Sequence, residues 1–137
     1  MDDQPGAFAL AHPCGLVIRT GLRESEVSAI RGALRRDMKT GYVWYVLPEA
    51  EIAGQMIAMS ICFFRGELHS LSVAVVDERL YGKSWGDWSA EKERARADAT
   101  GRWLADVGYA AGTYEWGVVW AETDIKTGDG GGGVRFR

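Results

Sequence analysis

Hydrophobic positions along the chain follow two different periods. In Met56–Phe64, Ile57, Met59, Ile61 and Phe63 alternate with Ala58, Ser60, Cys62 and Phe64. In Leu68–Val76, Leu71, Val73 and Val75 alternate with Ser70, Ser72 and Ala74. A period of two puts successive side chains on opposite faces of a strand, so both segments read as strands with one face much more apolar than the other. Arg65-Gly66-Glu67 between them has hairpin length and carries a glycine. Tyr42–Leu47, dense in aromatic and β-branched residues and closed by Pro48, adds a third strand to this antiparallel meander.

Helical spacing predicts two more elements. Val27, Ile30, Leu34 and Met38 form one stripe, which predicts a helix within Arg23–Met38. Ser25 is its candidate cap, Arg35, Arg36 and Lys39 crowd its last turns, and Gly41 stops it. A second helix is predicted over Ser89–Val107, capped by Ser89, with Glu91 and Glu93 in its first turn and Gly108 after it. Ala95, Ala99, Trp103 and Val107 recur every four residues along it. Gly15–Arg19 reads as an opening strand, and Tyr114–Ala121 with Val134–Arg137 as a closing pair. Tyr114, Trp116, Val118 and Trp120 are expected on one face, as are Val134 and Phe136. The expected order is β-α-β-β-β-α-β-β. That is an α+β fold: an antiparallel sheet of five to six strands with two helices on one face. One domain is expected over 1–137, with 1–13 loosely ordered and 128–133 a flexible glycine-rich hairpin loop.

Composition narrows the class. The 137 residues are 47% hydrophobic and 26% charged, which suits one packed core and argues against disorder. Sixteen Lys and Arg against nineteen Asp and Glu give a net charge of −3, without the basic excess of a nucleic-acid binder. No apolar run approaches membrane-spanning length, and the acidic start at Met1-Asp2-Asp3 is unlike a secretory signal. The expected location is cytoplasmic, with neither nucleic acid nor membrane as a partner. Two cysteines far apart, Cys14 and Cys62, read as free thiols.

Candidate chemistry is sparse. His12-Pro13-Cys14 offers two metal donors, but a zinc site needs three or four, and no second pair exists; no metal and no cofactor are expected. His69 shares parity with Leu71 and Val73, which makes it either a buried base or a packed histidine at a sheet edge. Cys62 lies within a strand and reads as core. The run Gly128-Asp129-Gly130-Gly131-Gly132-Gly133 precedes a strand instead of a helix, so it is no phosphate loop. No pair of carboxylates is singled out by spacing. Arg31 and Arg35 share a face of the first predicted helix, as a contact for an acidic partner or as its solvated side. Six tryptophans are the anomaly. Trp85 and Trp88 flank Gly86-Asp87 just before the second helix, either as an exposed binding hot spot or as a staple at its entry.

Residues Trp85-Gly86-Asp87-Trp88-Ser89-x-Glu91-x-Glu93-x-x-Arg96, Trp103-Leu104, Trp116-Gly117-x-Val119 and Asp124-x-Lys126-x-Gly128 resemble a pattern in small bacterial proteins. Some of these look like immunity proteins encoded beside polymorphic or contact-delivered toxins. In the first half, Gly21-x-x-Glu24-Ser25-Glu26-Val27, Trp44-Tyr45 and Phe63-x-x-Gly66-x-Leu68 resemble the helix-plus-meander module of β-lactamase-inhibitor-protein and outer-membrane-assembly lipoprotein folds. This sequence departs from that module in having one helix before its strands and no lipoprotein signal or cysteine. The resemblances imply a non-enzymatic protein that binds another protein, a toxin, by occlusion. Trp85, Asp87 and Trp88 are the expected contacts, with Asp124 and Lys126 next. The alternative is a small-ligand module or minor enzyme with an aromatic pocket lined by Trp103, Trp116 and Trp120. A third is a subunit of an assembly, paired through an edge strand at Val134–Arg137.

Overall fold

A computed structural model describes residues 7–77, 80, 89–123 and 130–137. Among these residues, ten strands and two helices have described bounds, in the order β1 (Ala9–His12), β2 (Leu16–Arg19), α1 (Glu24–Ser28), β3 (Leu34–Asp37), β4 (Tyr42–Val46), β5 (Ala50–Ile52), β6 (Gln55–Phe64), β7 (Glu67–Val75), α2 (Ala90–Asp106), β8 (Gly112–Tyr114), β9 (Gly117–Thr123) and β10 (Gly130–Phe136). Eight strands form one antiparallel sheet, ordered β3-β4-β6-β7-β10-β9-β8, with β5 pairing the free end of β6. β1 and β2 form a separate hairpin. The α+β class holds, but the strands are ten instead of five to six and their order differs.

Three features of the chain account for the difference. The stripe Val27, Ile30, Leu34, Met38 is no helical face: Val27 is buried, whereas Leu34 and Met38 are exposed. Helix α1 ends at Ser28, Gly32 turns the chain at φ +91, and 34–37 pair with β4 as an edge strand. The cap of α1 is Arg23, whose N–H donates to Glu26 Oε2 at 2.8 Å. The second feature is a set of two-residue turns beyond the expected one at Arg65-Gly66. Ala53-Gly54, both at positive φ, join β5 to β6 just as Arg65-Gly66 join β6 to β7, the pattern of a type I′ hairpin. A turn at Glu115-Trp116 splits the expected strand 114–121 into β8 and β9. Trp116 therefore enters the core, while Val118 and Trp120 fall on the opposite face from Val119.

The third concerns both ends. Residues 9–12, expected to be loose, alternate exposed and buried in β1, and Phe8 is fully buried. The Tyr109 hydroxyl holds this segment at two points, accepting from Ala9 N–H and donating to Ala9 C=O, each at 2.9 Å. Phe8 packs on Tyr109, Trp116 and Phe136 with ring centroids 4.5, 5.4 and 5.8 Å away. Residues 130–133, expected to be a flexible loop, are the first half of β10. This strand lies between β7 and β9, so it offers no edge for pairing.

The second helix matches its expectation: Ser89 Oγ accepts from Lys92 N–H at 3.1 Å, and Ala90–Asp106 is helical. Its buried residues are Glu93, Ala97, Thr100, Trp103 and Leu104. This face is rotated from the expected alanine stripe because two polar side chains belong to it. The last ladder pair between β7 and β10 toward this end is Val73↔Gly132. Beyond it the two strands turn to the helix instead: Val75 N–H donates to Thr100 Oγ1 at 3.2 Å, and Gly130 N–H to Glu93 Oε1 at 2.9 Å. Arg96 balances the buried Glu93 carboxylate at 3.2 Å. Two backbone donors that burial would orphan thus find acceptors on α2.

Glycine is required for this seat. None of Gly130–Gly133 has a positive φ, so space and not conformation selects them. A Cβ on Gly130 would overlap the Glu93 carbonyl of α2, and one on Gly132 would stand 3.0 Å from Leu104 Cδ1 and Thr100 Cγ2. On the other side of the strand, the Trp120 ring reaches over Gly133. Helix α2 and Trp120 lie against the two faces of the side-chain-free first half of β10.

Candidate interaction surface

Both helices and the β1–β2 hairpin cover one face of the sheet: α2 lies on β7, β9 and β10, the Tyr45 hydroxyl of β4 donates to Glu24 of α1 at 2.6 Å, and Phe8 packs on Phe136. Among the described residues, no helix or hairpin lies on the opposite face, the open face. Register places its residues in rows across the strands. One row runs Leu34, Val46, Ser60, Ser72, Gly133, Trp120. The next runs Arg36, Trp44, Cys62, Ser70, Arg135, Val118. The third is Ala58, Ala74, Gly131, Glu122, on the other side of the first. The floor is therefore made of Ala, Ser, Cys and Gly, with Trp44 and Trp120 toward its two sides.

Apolar exposure concentrates here. Of the seven large hydrophobic residues exposed among the described residues, Leu34, Tyr42, Met56 and Val118 have the parity of the open face. They stand on β3, β4, β6 and β9, around the small-residue floor. At the end nearest the β6–β7 turn, the Tyr42 and Phe64 rings lie 4.5 Å apart, with Arg65 over Phe64 at 5.1 Å.

Structure also settles the candidate side chains one by one. His69 is the extra residue of a β-bulge, since Cys62 pairs Ser70 and Phe63 pairs Leu68. It is half-buried, with Nδ1 3.0 Å from Ser70 Oγ and its ring edge-on to Tyr42. Burial pushes the Cys62 thiol above its usual pKa, with the Ser70 hydroxyl opposing, which keeps the sulfur protonated and unreactive. His12 is buried, and its Nδ1 accepts from Cys14 N–H at 3.0 Å. Burial lowers its pKa, with the Pro48 carbonyl acting the other way. Among the described residues no group of three or more His, Cys, Asp or Glu is placed to hold a metal, and no helix is long and apolar enough to cross a membrane. Arg31 and Arg35, read as one helix face, do not share one: α1 ends at Ser28, Arg31 lies between it and β3, and Arg35 is in β3.

The three tryptophans of the expected pocket are not brought together. Trp103 is buried under α2 and donates to Ile52 C=O at 2.8 Å, Trp116 packs with Phe8, Tyr109 and Tyr114, and Trp120 is on the open face. Trp103 lines a cavity of about 430 Å³, shared with Gln55, Val75, Asp77, Leu80 and Arg102. Trp85, Asp87, Trp88, Asp124 and Lys126 lie outside the described residues. The open face was missed because strand alternation shows that a sheet has two unlike faces, not which one the helices leave bare. The available signal was the pairing of small residues in β6 and β7 with tryptophans on strands to either side. No known protein family, no curated protein and no solved structure matches the chain.

Proposed function

We propose that this chain is a non-enzymatic protein-binding domain of immunity type, which blocks a toxin by occlusion, and that the open sheet face is its contact surface. The observation that carries the reading is that exposed Leu34, Tyr42, Met56 and Val118 share the face that no helix covers among the described residues. Trp44 and Trp120 beside a small-residue floor supply the half-buried aromatic anchors on which interface energy concentrates. The partner is a protein with an apolar, shape-matched surface.

The test places a photo-crosslinking amino acid at Leu34 or Val118, with the exposed Val17 of β2 as control, in the source cells. The expected result is one protein crosslinked from both open-face positions and not from Val17. Its expression alone should arrest growth, and co-expression of this chain should restore it. Capture from Val17 alone, or a captured protein without toxicity, overturns the reading. A second reading, small-ligand binding, is favoured by the cavity beside Trp103. Filling it with Ala99→Leu leaves toxin relief unchanged if the open face carries the function.

A further inference from the structure

The charges on the open face are sorted by end. Toward the β6–β7 turn stand Arg36, Arg65, Arg135 and Arg137, with Glu67 among them and Glu115 in the β8–β9 turn at the same end. Toward the opposite end stand Glu51 and Glu122. All eight are exposed, and none forms an ion pair with another described residue. A surface with opposite charge at its two ends is complementary to itself when turned end for end.

The register makes that match specific. Take the row Ser60, Ser72, Gly133, Trp120 as a midline. Arg135 lies one row to one side of it and the Gly131↔Glu122 pair one row to the other. Phe64 and Met56 lie equally far from Ser60 along β6, on opposite sides. A two-fold axis along the midline therefore sets Arg135 of one copy over Gly131 of the other, beside Glu122. The missing side chain at Gly131 leaves room for the guanidinium. The same operation sets Phe64 over Met56. An isologous interface repeats each contact twice.

We infer that the open face pairs with a second copy of this chain, strands antiparallel, about a two-fold axis along the Ser60–Ser72–Gly133 row. This rests on the reading of that face as the interaction surface. It makes the self-paired dimer the resting form that a target must displace.

Sedimentation velocity of the full chain, from micromolar to submillimolar concentration, tests it, with circular dichroism as the check on folding. The wild type should be a reversible dimer. Arg135→Glu and Glu122→Arg should each weaken it at least about tenfold, a typical effect of opposing like charges in an interface. The double variant carrying both changes should recover most of that loss, and Arg102→Glu should have no effect. A wild type that stays monomeric throughout overturns the inference, as does a dimer indifferent to both single changes. A double variant no better than the single ones also overturns it. A monomer that still crosslinks a toxin through Val118 would defeat the dimer alone. A dimer rescued by the charge swap, with no toxin captured, would defeat the immunity reading alone.

Discussion

Replacing Gly130 by alanine tests the central packing claim. The added Cβ meets backbone, the carbonyl of Glu93, which no side-chain rotation can move aside. Helix α2 would have to shift along with the Gly130 N–H to Glu93 bond that pins it. Overpacking costs about 1–3 kcal/mol, and a backbone obstacle puts this site at the upper end. A strained hydrogen bond to a carboxylate adds about 1 kcal/mol, and reduced freedom of the unfolded chain returns a similar amount. The net expectation is a loss of about 3 kcal/mol. Unfolding entropy of about 2.1 cal/mol/K per residue, over 137 residues, converts this to a fall in Tm of about 10 °C. Urea titration and thermal melting both read it. Gly131→Ala is the internal control: its Cβ faces the open side, with Val73 C=O at 3.0 Å and Ala74 Cβ at 3.7 Å, and stability should stay within about 1 kcal/mol of wild type. Equal effects at the two positions, or stabilisation by both, would refute the account of why the first half of β10 has no side chains.

Thr100→Val keeps the shape but removes the acceptor for Val75 N–H, and should cost about 1–3 kcal/mol by urea titration. His12 gives a pH signature. Its folded pKa lies below the usual 6.5, so the unfolded chain takes up the proton first. Its contribution is intact above pH 6.5, declines as pH falls from there to the folded pKa, and is level below that. His12→Asn, which can still accept from Cys14 N–H, should flatten this part of the stability-against-pH curve.

Legibility in the sequence followed the range of the forces involved. Helix α2 and the β6–β7 hairpin were readable because a Ser89 cap and an Arg65-Gly66 turn are local devices acting within a few residues. The segment 34–37 was not, since its residues fit a helical stripe as well as a strand. Pairing with β4, and Gly32 at positive φ, decided it. The glycine run misled for a related reason. Glycine signals freedom when nothing is near and close approach when something is, and what approaches Gly130 and Gly132 is a helix more than twenty residues earlier. The parity of Trp120 turned on one two-residue turn, which inverted every side chain after it. The open face depended on where the helices settle, which is a property of the assembled sheet.

The position of β10 also shapes how the sheet can be assembled. Its two neighbours are β9, just before it in the chain, and β7, which ends at Val75, before α2 and the β8–β9 hairpin intervene. The β3-β4-β6-β7 half can form from contacts close in sequence. The β8–β9 hairpin can also form by itself. The two halves become one sheet only when β10 is laid between them and closes the long loop from β7, a step whose entropic cost comes before its contacts can repay it. Loss of β10 would therefore divide the sheet in two instead of shortening it. Until that strand docks, β7 presents Leu71, Val73 and Val75 along a bare edge, where another chain's strand could add in its place.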